Sequence, residues 1–148
     1  MRLQDLANTI VAVVEPETSA LVAAQLMRRH HVGALVVVDA LEKTRPVGII
    51  TDRDLVLALM AEGLDPAIFT AGDIMSVEPV LATTDMDVMD GIELMRANGL
   101  RRLVVVDDDG RLAGIATMED LLELLANELS ALTVALRGAR DREFAQRR

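Results

Sequence analysis

The sequence contains no cysteine, tryptophan or tyrosine, and Phe69 and Phe144 are its only aromatic residues. Without cysteine there is no disulfide, no thiolate nucleophile and no cysteine-held metal, a composition that fits a reducing compartment. Without tryptophan or tyrosine there is no row of aromatic faces on which single-stranded nucleic acid could stack. The formal net charge of −9 opposes binding to any polyanion. No apolar run approaches the roughly 18 residues of a membrane span. Nor do the first residues show the basic-then-apolar order of a secretion signal. The expectation is a soluble cytoplasmic protein with neither nucleic acid nor membrane as partner.

What is present is aliphatic: 51% of the 148 residues are hydrophobic, so the core must be built from Val, Leu, Ile, Ala and Met. The eight methionines read as core filler in a chain short of aromatics. A chain this long buries roughly two-thirds of its unfolded surface, as one compact domain or as two small repeats sharing a core. Charge is uneven. Five arginines against Asp141 and Glu143 make residues 137–148 basic, while 10 basic and 22 acidic side chains remain in residues 1–136. The basic end reads as the solvated end of a helix or as a segment that docks on the acidic body of a neighbouring subunit.

The chain repeats itself. Gly48-Ile49-Ile50-Thr51-Asp52-Arg53-Asp54 returns as Gly114-Ile115-Ala116-Thr117-Met118-Glu119-Asp120. Each phrase reads as a short strand followed by Thr-x-x-Asp and helically spaced leucines. Thr-x-x-Asp before an apolar run is a capping box in acidic form. The same atoms admit a second reading, because a helix N-terminus offers N–H groups and partial positive charge to a phosphate. A carboxylate accepts hydrogen bonds only, which suits the two hydroxyls of a ribose.

The elements around these phrases also recur. Thr9 to Val14 is rich in β formers and stopped by Pro16. Thr18 or Ser19 caps a helix through about His30, and Ala34 to Val38 is a central strand ending at Asp39. In the second half Asp73-Ile74-Met75 answers Asp5-Leu6-Ala7, and Val77 to Thr83 reads as a strand made irregular by Pro79. A helix from Asp85 to Asn98 follows, with Met95 in the place of Met27. The strand ending at Asp107 then matches the one ending at Asp39. Each half therefore reads β-α-β-β-α. The expected fold is α+β, two such repeats packed sheet to sheet about a pseudo-twofold axis, since neither half covers both faces of its own sheet. Repeat 1 takes residues 5–63, a connector 64–72, repeat 2 residues 73–127 and a C-terminal helical extension 128–148.

On these residues the chain resembles a pair of CBS domains, the cystathionine-β-synthase-type repeats that form a regulatory (Bateman) module. The resemblance implies a binding module whose clefts take AMP, ADP, ATP or S-adenosylmethionine. Carried over by position, Thr51 and Asp54 serve one cleft and Thr117 and Asp120 the other, contacting ribose or phosphate. Val14 and Ala34, then Ala82 and Arg102, hold the adenine. Asp52 and Arg53 lie within the first phrase, and Arg53 at the helix start favours phosphate there over the second phrase, where Glu119 adds a like charge. Arg101 and Arg102 stand where the first repeat has Gly33-Ala34, and each is read equally as a phosphate contact or a solvated side chain.

Other constellations carry simpler readings. His30 and His31 diverge at a helix end and make a poor metal pair. Asp107-Asp108-Asp109-Gly110 is turn chemistry, since Met118 stands where a calcium loop needs its glutamate. Asp85, Asp87 and Asp90 mark a helix start. With neither a nucleophile–base pair nor a metal set, an enzyme is not expected. The expectation is a regulatory homodimer acting on an unidentified effector protein, its contact faces including Leu55, Leu59, Leu121, Leu125 and the apolar stretch 129–136. A ligand-free structural homodimer is the alternative.

Overall fold

The computed structural model describes residues 1–9 and 11–146, so Ile10 of the first expected strand, and Arg147 and Arg148 of the basic end, lie outside the described residues. In the first half β1 (Val13–Val14) is followed by α1 (Ala20–His30), β2 (Ala34–Val38) and β3 (Pro46–Thr51). Next come α2 (Asp52–Leu55), which runs into a π-helical turn at Val56–Met60, and α3 (Ala71–Ile74). The second half contains β4 (Ser76–Val77), β5 (Leu81–Thr83), α4 (Val88–Asn98), β6 (Arg102–Val106), β7 (Leu112–Thr117) and α5 (Met118–Gln146). The fold is α+β, with two small sheets stacked on each other and helices outside.

Local chemistry explains the helix limits. Ser19 caps α1, its Oγ accepting from the Val22 N–H at 3.2 Å. Asp87 caps α4 by accepting from the Met89 N–H at 2.9 Å. Asp85 lies outside that helix, its carboxylate accepting from the Thr83 hydroxyl at 2.7 Å, so α4 starts later than the acidic run suggests. Both helices end on a left-handed residue, Gly99 at φ 62° in α4 and His31 at φ 54° in α1. His31 thus does a glycine's work at a helix end.

The continuous apolar runs of β2 and β6 are buried on both faces. Leu35 and Val37 point into a core with Val14, Ala23, Met27 and Ile50. Leu103 and Val105 point into its counterpart with Ala82, Val88, Met95 and Leu121. The alternate residues Val36, Val38, Val104 and Val106 meet between the sheets.

One feature was not legible in the sequence. The expected strand Val77 to Thr83 is broken at Glu78, which adopts φ 51°, and Pro79. Its two pieces join different sheets: Ser76–Val77 pairs with Ile49 and Gly48 of the first half, and Leu81–Thr83 pairs with β6. The chain start mirrors this, because Asn8 bridges Ile115 of the second half and Leu3 is buried in the second core. Each repeat lends its leading segment to the other sheet.

The glycines of the two phrases make room for these crossings. A Cβ on Gly114 would stand 2.7 Å from the Asn8 carbonyl oxygen, and one on Gly48 would meet the Met75 sulfur and lie 2.9 Å from the Ser76 carbonyl oxygen. Since a backbone atom cannot rotate away, Gly114→Ala is expected to lower stability by about 1–3 kcal/mol. Urea unfolding measures it, and a loss below about 0.5 kcal/mol would mean the crossing segment moves freely.

Candidate functional site

Both Thr-x-x-Asp phrases form complete capping boxes. The Thr51 hydroxyl accepts from the Asp54 N–H at 3.1 Å while Asp54 Oδ2 accepts from the Thr51 N–H at 2.9 Å. The Thr117 hydroxyl accepts from the Asp120 N–H at 3.1 Å, and Asp120 Oδ2 accepts from the Thr117 N–H at 3.4 Å. A third box at Thr70 and Asp73 starts α3.

Most of the first-turn amides that a phosphate would need are already used. In α2 the Asp52 N–H donates to the Gly33 carbonyl, the Arg53 N–H to Asp52 Oδ1 and the Asp54 N–H to Thr51. In α5 the Met118 N–H donates to the Arg101 carbonyl and the Asp120 N–H to Thr117. Three first-turn amides of α2 and two of α5 are thus engaged within the protein, which leaves side chains as the more open partners for an anion.

Those side chains gather at a cleft of about 250 Å³ between the repeats. Its apolar lining comes from Val11, Ala12, Val32, Ala34 and Ile115, and its polar lining from Asn8, Arg102, Thr117, Glu119 and Asp120. Gly33 completes the rim. A Cβ there would sit 3.3 Å from the Arg102 Nη2 and 3.1 Å from Asp52 Oδ2, so the glycine leaves space for the guanidinium. Arg102 is half-buried, and among the described residues its guanidinium makes no hydrogen bond or ion pair, although its charge acts on Glu119. Asp120 keeps its Oδ1 without a partner among them.

The neighbouring charges are partly settled. Arg101 is exposed and donates to Glu119 Oε1 at 2.8 Å. The Glu119 carboxyl is held below its ordinary value first by its own backbone N–H, then by the Arg101 hydrogen bond, with the charges of Arg101 and Arg102 adding to both. The like charge counted against this phrase is thus offset by two arginines.

The positions expected from the sequence divide between this cleft and other places. Ala34, Arg102, Thr117 and Asp120 come together in it, with Arg101 on its edge through Glu119. Thr51 and Asp54 are half-buried at the start of α2 and are not part of its lining, and Arg53 is exposed there. Asp52 reaches the far side of Gly33 and lines a groove between α1 and α2. Val14 and Ala82 lie in the two cores instead. Their pairing opposite Val37 and Val105 turns their side chains under the helices, so the cleft is lined by Val11 and Ala12, earlier in the chain. The sequence reading missed Asn8, Val11, Ala12, Val32, Gly33 and Ile115. Val32, Gly33 and Ile115 adjoin expected positions in the sequence, whereas Asn8 reaches the second half only because the leading segment crosses to Ile115.

Among the described residues no group of three or more His, Asp or Glu could hold a metal ion, and no helix is long and apolar enough to cross a membrane.

Comparison with known proteins matches the fold. An uncharacterised protein of Methanopyrus kandleri is 41% identical over 120 residues, 81% of this chain and 60% of that protein, so the chain spans less than two-thirds of that relative. A CBS domain protein of Pyrobaculum aerophilum complexed with AMP superposes with a TM-score of 0.76 at 26% identity, covering 85% of this chain and 99% of that one. The CBS domain pair of protein MJ0100, solved with 5′-methylthioadenosine and S-adenosyl-L-methionine, gives a TM-score of 0.77 at 26% identity over 86% and 98%. The CBS domain family model matches residues 3–61 and 71–127, one match for each repeat, and the chain belongs to the CBS domain family.

Proposed function

We propose that this protein is a non-catalytic regulatory module that binds AMP or a related adenosyl compound in the cleft beside Thr117 and Asp120, and passes its occupancy to an effector protein. The observation that carries the reading is the unpaired Arg102 guanidinium facing the same small cleft as the open Asp120 Oδ1. Ribose hydroxyls donate to Asp120, a phosphate pairs with Arg102, and the base lies against Val11, Ala12, Ala34 and Ile115. The volume, about 250 Å³, is just below the roughly 300–1,000 Å³ of common ligand clefts and suits a nucleoside whose phosphate lies outside, at the mouth. Solved relatives holding AMP and S-adenosyl-L-methionine support the ligand class. The preference first assigned to the Thr51 phrase moves to the Thr117 phrase, because Arg102 crosses from the second repeat to the Gly33 side.

The test is thermal melting with adenosine, AMP, ADP, ATP and S-adenosylmethionine. A ligand at about 100 times its Kd adds roughly 2.7 kcal/mol, a rise of several degrees in Tm. Arg102→Ala is expected to weaken AMP about 10- to 100-fold, the loss of one charge-assisted contact, while adenosine is little affected. No shift with any compound would favour the ligand-free structural reading.

We further propose a homodimer. Of the leucines first assigned to its contact face, Leu59 and Leu121 are buried, each 3% exposed, whereas Val56, Met60, Leu122 and Leu125 are open to solvent along the grooves beside α2 and α5.

A further inference from the structure

The last helix has an apolar edge that the body does not cover. α5 runs 29 residues, and Leu121 is its one fully buried residue. Leu122, Leu125, Leu129, Leu132 and Leu136 are 61, 42, 66, 67 and 52% exposed. They recur alternately three and four residues apart, and Met118 and Ala139 continue the same rhythm at either end. That is the 3.5-residue repeat of a coiled-coil seam, which a straight helix on a globular body does not require.

Charge selects the orientation of the partner. From Met118 to Glu128 the helix carries Glu119, Asp120, Glu123 and Glu128 with no basic residue. From Arg137 to Gln146 it carries Arg137, Arg140 and Arg142 against Asp141 and Glu143. A parallel pair would set acidic beside acidic and basic beside basic. An antiparallel pair sets each acidic start beside a basic end, and the seam permits it without a register change: Leu122 faces Ala139 of the partner subunit, Leu125 faces Leu136 of the partner subunit, and Leu129 faces Leu132 of the partner subunit. The seam is also continuous with an apolar groove of about 330 Å³, where Leu122 and Leu125 meet Ile92 and Met95 beside α4.

We infer that α5 is an antiparallel dimerisation helix, its occupant a second copy of this chain whose basic end lies along the acidic start and the groove beside α4. This rests on the homodimer reading and is independent of the ligand.

The absence of native cysteine makes cross-linking a clean test. Leu122→Cys and Ala139→Cys are prepared separately and oxidised alone and mixed. The mixture is expected to give a disulfide-linked dimer in at least severalfold excess over either variant alone, because antiparallel pairing joins position 122 to 139 across the pair. Efficient self-linking of Ala139→Cys would show a parallel pair, and no linked dimer in the mixture would show no pair at all; either overturns the inference. Leu132→Asp, at an exposed position, is expected to leave the melting curve unchanged and weaken the dimer at least tenfold by sedimentation. A Leu132→Asp protein that stays fully dimeric overturns the α5 pairing while leaving dimerisation through the other groove intact. AMP binding by the same variant reports on the cleft separately.

Discussion

Leu3→Ala is expected to destabilise the protein by about 2–5 kcal/mol, although the residue is third in the chain, where truncation is ordinarily tolerated. Leu3 is fully buried in the core of the second repeat. Its N–H donates to the Met86 carbonyl at 2.9 Å and its carbonyl accepts from Ala7 at 2.8 Å, so the backbone is pinned and the site cannot collapse around a smaller side chain. Its methyl group also lies close over Gly91, where an added Cβ would come within 3.0 Å. The other repeat solves the same contact differently: Ala71 and Ala23 stand at the matching positions, both fully buried. One repeat fills the space with leucine on glycine, the other with alanine on alanine. Gly91→Ala added to Leu3→Ala should therefore recover part of the loss, a coupling expected only between side chains in contact. Urea unfolding of the single and double variants measures it. A loss below about 0.5 kcal/mol for Leu3→Ala would show that the leading segment frays from the second core.

Asp120→Ala is expected to weaken AMP binding about 10- to 150-fold, the equivalent of roughly 1.5–3 kcal/mol for hydrogen bonds to a charged acceptor. It also removes half of a capping box, which costs about 0.5–2 kcal/mol of stability whether or not a ligand binds. The comparison that separates the two effects is Asp54→Ala. Its carboxylate caps α2 with even shorter geometry, 2.9 Å against 3.4 Å, but does not line the cleft that holds Arg102. Both variants should melt earlier, and only the Asp120 variant should lose nucleotide affinity. Calorimetric titration with AMP, on protein confirmed folded by its melting curve, decides the matter. Equal loss of affinity in both would place the ligand at both phrases, and loss in Asp54→Ala alone would restore the first phrase as the phosphate site.

Much of this protein was determined by local sequence. The duplicated phrase, the buried valine strands and the Thr-x-x-Asp boxes depend on residues within a few positions of one another, where side-chain period and capping geometry act directly. Ser19 caps its helix, Met27 and Met95 occupy matching cores, and the α+β pair of repeats follows from those pieces. The tertiary structure alone decided which residues share the cleft. Hydrophobic patterning says that a strand is buried but not which sheet it joins, so the split at Glu78 and Pro79 and the lending of Asn8 to Ile115 were hidden. Gly33 and Ala34 of one repeat line the same cleft as Thr117 and Asp120 of the other. Strand register turns Val14 and Ala82 inward, and the space over Gly33 receives the Arg102 guanidinium. Each of these depends on contact between residues far apart in sequence, to which spacing and composition do not respond.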